Sequence, residues 1–290
     1  MSQARLALRA ALRAQQTIVA PGAYDGFSAR LVERAGFGAV YLTGNGMSGS
    51  VLGLPDVGLL TLTEVASVAR NIAACVSIPV IVDADTGYGN AVNVAHTVET
   101  LERAGVAAVQ LEDQVNPKRC GHLPGTREVI GRDEAVGKIA AAVDARRDPN
   151  LAIIARTDAL SAHGMDEAIA RANAFLSAGA DVAFVECKGS RSELERIVRD
   201  VRGPVLLNQD EAGESAKLRV EELETLGVRI AVYPGLLRYS ACFAMRRALE
   251  ILKRDGSTAG ALDAMVTFAE YNEILGMERI KELEARFVTQ

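Results

Sequence analysis

Along the chain, short and almost unbroken apolar runs alternate with longer stretches in which apolar residues recur every third or fourth position. Four segments rhyme: Val32 to Leu42, Leu101 to Leu111, Phe175 to Val185 and Leu223 to Tyr233. In each, a helical pattern closes at a glycine (Gly36, Gly105, Gly179, Gly227) and an apolar run follows at once. Glycine takes the left-handed conformation that ends a helix at little cost, so each segment predicts a helix-to-strand joint. Thr17 to Ala20, Ile78 to Val82, Leu151 to Ala155 and Pro204 to Leu207 add four more runs. All eight are short and continuously apolar, as expected of parallel strands covered on both faces, and each precedes a helix-length stretch.

Eight such units in one chain of this length predict a (β/α)8 TIM-type barrel. An open doubly wound sheet is the alternative. It would usually open on a G-x-G-x-x-G turn, which Ala20 to Asp25 does not supply. Residues 1–290 therefore read as one barrel domain with a helical extension at 257–290. In that tail Ala264, Phe268, Tyr271, Leu275 and, after Gly276, Ile280, Leu283 and Phe287 fall at helical spacing. Two helices joined at Gly276 follow, with an apolar face that either a neighbouring subunit or the chain's own barrel must cover. At the other end Arg5, Arg9 and Arg13 recur without an acid, as they would in an organelle transit peptide. Leu8 and Leu12 lie one turn apart, which favours a short leading helix that closes one end of the domain.

Composition narrows the class. With 49% hydrophobic residues in 290, the chain can bury a large core, which excludes a small stapled scaffold. The net charge is -5 and the 32 basic residues are scattered, so no nucleic-acid partner is expected. No apolar run approaches the roughly 18 residues of a membrane span, so no membrane partner is expected either. Four cysteines without a C-x-x-C pair argue against a disulfide framework and point to a reducing cytoplasm.

Chemistry in a barrel of this type sits where strands end and βα loops begin. Those positions carry Tyr41, the run Thr43-Gly44-Asn45-Gly46, Asp83, Asp85, Glu112, Arg156, Glu186 and Asn208. Asp83, Asp85 and Glu112 at neighbouring strand ends would repel one another in a dry mouth unless a cation neutralised them, and hard oxygen donors suit Mg2+ or Mn2+. The plainer alternative is that one aspartate only caps a helix. Arg156 offers a fork for a carboxylate, or else a salt bridge to Asp158 or Glu186. Residues 114–127 form a loop much longer than an ordinary βα turn, the mark of a lid. On it Lys118, Arg119 and His122 surround Cys120, which would lower the thiol's pKa and let the residue serve as nucleophile, as thiolate, or as proton donor, as thiol, once the lid closes.

The Lys118-Arg-Cys-Gly-His122 loop, Asp83 to Asn90, Gln110-Leu-Glu-Asp113 and Ala155 to Ala159 resemble signatures of the isocitrate lyase and phosphoenolpyruvate mutase superfamily. The likeness runs from about Pro21 to the C-terminus and is strongest to its short lyases, the 2-methylisocitrate and 2,3-dimethylmalate lyase group. The resemblance implies a Mg2+-dependent barrel, Mn2+ being a substitute, whose last helices are exchanged between subunits of a homotetramer. It implies cleavage of a 2-hydroxy di- or tricarboxylate substrate into a 2-oxo acid and a carboxylic acid. In that scheme Asp85, Asp83, Glu112 and Asp56 serve the metal, and Thr43, Gly44, Asn45, Arg119, Gly121, Glu186 and Asn208 hold substrate. Tyr41 and Arg156 help remove the hydroxyl proton, Cys120 protonates the departing carbon, and His122 and Lys118 tune the thiol. Phosphonopyruvate-processing members typically carry Asn at the cysteine position, which ranks phosphonate mutase or hydrolase chemistry second and oxaloacetate hydrolysis or decarboxylation after it. A barrel that only binds a dicarboxylate, without turnover, is the non-enzyme reading. Thr43-Gly-Asn-Gly in place of Ser-Gly-Gly-Gly leaves the substituents at the substrate's third carbon open.

Overall fold

A computed structural model describes residues 2–14, 16–121, 123, 125–211 and 217–288. The four joint glycines take φ values from 84° to 101°, the left-handed caps that the sequence predicts. Among the described residues eight parallel strands close into a barrel in chain order. They are β1 Ile18–Ala23, β2 Val40–Leu42, β3 Val80–Asp83, β4 Ala108–Glu112, β5 Ala152–Thr157, β6 Val182–Val185, β7 Val205–Asn208 and β8 Ile230–Tyr233. Pairing of Ile18 with Ile230 and of Val19 with Ala231 completes the ring.

The leading helix α1 is Gln3–Arg13. Helices α2 Gly26–Arg34, α4 Leu62–Cys75, α5 Ala91–Arg103, α6 Arg132–Ala145, α7 Leu160–Ser177, α8 Arg191–Asp200, α9 Val220–Leu226 and α10 Leu236–Asp255 follow the strands, with a one-turn helix α3 Gly44–Met47 after β2. Alternate strand residues divide the core. Ile81, Ala108, Ile154, Phe184, Leu206 and Ile230 pack together inside the barrel, where Leu8 of α1 joins them from below. Val82, Val109 and Ile153 pack outward beneath the helices. The arginine-rich leading segment is thus a plug. Arg5 donates to the Val106 carbonyl at 2.9 Å and pairs with Asp148 at 3.0 Å, while Arg9 pairs with Asp181 at 2.5 Å.

The tail forms a 3-10 turn at Ala259–Ala264 and the helices α11 Phe268–Ile274 and α12 Met277–Phe287, broken at Gly276 as predicted. It lies partly on the chain's own α2: the Phe27 and Tyr271 rings stand 5.2 Å apart, and Arg34 pairs with Glu273 at 2.5 Å. Ile274 is buried, yet Phe243, Leu249, Phe268 and Phe287 remain open to solvent, so this contact covers only part of the apolar face. No helix among the described residues is long and apolar enough to cross a membrane.

Candidate active site

Tyr41, Thr43, Asn45, Asp83, Glu112, Arg156, Glu186 and Asn208 line one cavity at the carboxyl end of the barrel, and Asp85 lies behind its wall against Lys118. The cavity has about 40 Å³ of free volume, room for a few waters, because the loop after β4 lies folded across it. That loop starts as a two-stranded stem: Gln114 bridges Val129, and the Val115 N-H donates to the Glu128 carbonyl at 3.0 Å. Its tip, with Lys118, Arg119, Cys120 and Gly121, reaches the mouth and lines the cavity. His122 lies outside the described residues.

Thr43 caps the turn Gly44–Met47, so the glycine run is the start of a short helix. Gly44 is required there. A Cβ at this position would stand 2.9 Å from Asp83 Oδ2 and 3.2 Å from Asp85 Oδ1. Asp85 itself has φ 48°, and its backbone N-H donates to Asp83 Oδ1 at 3.2 Å, so a tight local turn aims two carboxylates at one place.

The acids converge, but their charges are already partly met. Lys118 Nζ lies 2.6 Å from Asp56 Oδ1 and 2.8 Å from Asp85 Oδ1, with its side chain 4% exposed. Arg156 stands 3.3 Å from Glu112 and 3.4 Å from Glu186. The repulsion expected among these acids is therefore relieved in part by an ammonium and a guanidinium. Lys118, expected beside the thiol, turns its charge into the acid cluster, and its neighbours there hold its pKa well above the usual lysine value.

Neutralisation is incomplete. Burial pushes the Asp85 carboxyl up to about 7 despite the ammonium beside it, with the nearby Asp83 charge adding to the rise. Burial likewise drives Glu112 well above the usual glutamate range, against the pull of Arg156, and its Oε1 is buried without a hydrogen-bond partner. Among the described residues no three Asp, Glu, His or Cys side chains gather tightly enough to ligate an ion by themselves. Oxygen donors with an unsatisfied buried atom still fit Mg2+, which takes one or two carboxylates and completes its shell with water or substrate oxygens. Asp85, with Asp83 and Glu112 nearby, would be the residues to hold such an ion.

Tyr41 OH donates to Gln110 Oε1 at 3.1 Å, while Gln110 Nε2 donates to Asp83 Oδ1 at 3.2 Å. Burial raises the Tyr41 pKa far above its ordinary value, with Asp83 adding to the effect. Arg156, surrounded by Asp158, Glu186 and Glu112, holds its proton even more firmly than a free guanidinium. Both groups hold their protons firmly, so any help they give in removing a hydroxyl proton is as donors to its oxygen. They are hydrogen-bond donors.

Cys120 is half-buried, and Asn45 Nδ2 donates to its sulfur at 3.1 Å. The Asn45 amide is oriented from behind by Arg238, whose Nη1 donates to Oδ1 at 2.5 Å. Gly121 brings the lid close to Glu186 and Arg156: a Cβ there would lie 3.1 Å from Glu186 Oε1. Arg119 is exposed at the rim, with Asn208 across the cavity. Gln110, Arg238 and the Arg127–Asp158 pair are functional partners that sequence reasoning missed. Only Gln110 had a local signal, since it precedes Glu112 by two positions on β4 and so faces the same interior.

A closed barrel with acids, a buried arginine and a lid thiol at its mouth defines a lyase-type enzyme of the isocitrate lyase and phosphoenolpyruvate mutase superfamily. Residues 8–253 match the family model described as phosphoenolpyruvate phosphomutase, and the chain belongs to that family. It is 49% identical over 282 residues to 2,3-dimethylmalate lyase of Eubacterium barkeri, covering 97% of each chain. It is 41% identical to 2-methylisocitrate lyase of Aeropyrum pernix, over 97% of this chain and 90% of that one. A crystal structure of a 2,3-dimethylmalate lyase superposes with a TM-score of 0.92 at 42% identity, covering 99% of this chain and 96% of the other. Within the family the protein is a carbon-carbon lyase.

Proposed function

We propose that the protein is a Mg2+-dependent lyase that cleaves a 2-hydroxy di- or tricarboxylate of the 2,3-dimethylmalate or 2-methylisocitrate type, releasing a 2-oxo acid such as pyruvate and a second carboxylic acid. The observation that carries this reading is a thiol held under a lid at the rim of a cavity whose floor is acidic and whose wall carries Arg156. Mg2+, when bound at Asp85, supplies a Lewis acid that lowers the pKa of the substrate hydroxyl and holds the adjacent carboxylate. Thr43, Gly44 and Asn45 border that carboxylate. Glu112, whose Oε1 has no hydrogen-bond partner and which lines the cavity, accepts the hydroxyl proton. Arg156 and Tyr41 donate to the oxygens where charge builds as the carbon-carbon bond breaks. The bonding electrons pass to the departing carbon, which takes the Cys120 proton, while Arg119, Gly121, Glu186 and Asn208 hold the rest of the molecule. Closure matters because a carbanion in a wet mouth would take its proton from solvent.

Phe243 and Leu249 of α10 and Phe268 and Phe287 of the tail are exposed apolar side chains that a subunit interface would cover, which favours a homotetramer of helix-swapped dimers. Sedimentation analysis tests it, a monomer being the contrary result. The activity is tested by a turnover screen of 2,3-dimethylmalate, 2-methylisocitrate, isocitrate, oxaloacetate and phosphonopyruvate, with Mg2+ and with EDTA. Pyruvate from one of the first two, abolished by EDTA, is expected. Turnover confined to oxaloacetate or phosphonopyruvate would reassign the enzyme within its superfamily.

A further inference from the structure

Asp158 is fully buried and held from several sides. Its backbone N-H donates to Asp113 Oδ1 at 2.9 Å, and Asp113 is itself fixed by the Thr157 hydroxyl at 2.7 Å and Arg171 at 3.1 Å. Its two carboxylate oxygens grip Arg156 in a fork, at 2.8 and 2.9 Å. One of them, Oδ1, also lies 2.8 Å from Arg127 Nε. Arg127 stands on the lid stem, yet its Nη1 reaches forward to the carbonyl of Gly121 at 3.1 Å, next to Cys120 on the lid tip.

We infer that Arg127 is a positioning residue that pins the lid tip closed over the substrate, by joining the Gly121 carbonyl to the carboxylate that also orients Arg156. The lysine elsewhere on the tip cannot serve this purpose independently of the metal site, because its partners Asp56 and Asp85 belong to the acid cluster. Asp158 faces two arginines and its carboxyl pKa lies below the usual value, so it stays ionised whatever happens at the cluster. A guanidinium suits this place: Nη1 donates to the Gly121 carbonyl while Nε lies at ion-pair distance from Asp158 without a hydrogen bond, two contacts that a single ammonium would have to choose between. One buried carboxylate thereby couples the closed lid to the orientation of the arginine wall.

The inference rests on the proposed lyase reaction for its kinetic consequence but not for its structural one. The test measures alkylation of Cys120 by iodoacetamide in Arg127→Met and Arg127→Lys, followed peptide by peptide, with the buried Cys187 as the folding control. Charge-assisted hydrogen bonds of this kind are strong enough to shift an opening equilibrium on the order of tenfold. Cys120 in Arg127→Met is expected to react about that much faster than in the parent protein while Cys187 stays protected, with kcat lowered by a similar factor. Arg127→Lys should fall between the two. A parental alkylation rate at Cys120 with Cys187 protected would overturn the inference. Should Arg127→Met expose Cys187 as well, Arg127→Lys decides by the same criterion. If the parent protein cleaves no hydroxy acid, the proposed reaction fails and the alkylation result still judges the pin.

Discussion

The two ends of the barrel use the same kinds of residue to opposite effect. At the amino end, Arg5 and Arg9 of the plug helix are matched by Asp148, Asp181 and backbone carbonyls, so each charge is paired. At the carboxyl end, acids outnumber nearby cations, Glu112 Oε1 has no partner and burial keeps Asp85 at the edge of protonation. The first arrangement stabilises. The second stores an unmet electrostatic demand that a divalent cation and an anionic substrate can satisfy.

Substitutions at the two ends should therefore separate activity from stability. The largest effect is expected at the lid: Cys120→Ser should lower kcat by about 10³-fold, within the range for removing a positioned proton donor, while thermal stability stays unchanged. Measuring kcat and the melting temperature together checks this, and a parental rate would remove the thiol from the mechanism. Mg2+ is expected to raise the melting temperature of the parent protein, and Asp85→Ala should abolish both that rise, which calorimetry reads without substrate, and Mg2+-dependent turnover. At the opposite end Arg5→Ala should cost about 3 kcal/mol of stability, since it strands buried partners, with kcat unaltered. A denaturant titration beside a turnover assay distinguishes the two behaviours.

The helix-to-strand joints were legible because they are local: a glycine with positive φ followed by an apolar run needs no knowledge of the rest of the chain. The strand-end acids and arginine were legible for a related reason, since barrel topology places the end of every strand at the same mouth. Side-chain pairing was not. Lys118 is separated from Asp56 and Asp85 by dozens of residues, and nothing near it in sequence distinguishes an ammonium that tunes a thiol from one inserted among carboxylates. The same holds for the protonation of Tyr41, which depends on burial and the Asp83 charge against the pull of Arg156 and Gln110. The tail was half legible: its helical spacing and the break at Gly276 were plain, but its contact with Phe27 of α2 was not.

Smaller effects sharpen the contrast further. Glu112→Gln removes a buried charge that its surroundings already penalise, so the metal-free protein should melt a few degrees higher as turnover falls. A lower melting temperature would mean that the Arg156 contact outweighs the desolvation of Glu112. The smallest signal is pH-dependent. Because the folded protein holds the Asp85 proton up to about 7 whereas the unfolded chain releases it near 3.8, the metal-free protein loses stability as pH rises across that interval. Mg2+ competes with that proton, so the stabilisation it confers should grow from pH 6 to 8 and level off above. A Mg2+ effect that is flat across this range would exclude Asp85 as the titrating ligand.

The most direct measurement is cleavage of 2,3-dimethylmalate in D2O with Mg2+, with the propionate product analysed by NMR. A thiol fixed on one side of the departing carbon predicts a single deuterium at carbon 2 in one configuration. Product labelled in both configurations would contradict a closed-lid lyase with Cys120 as its acid.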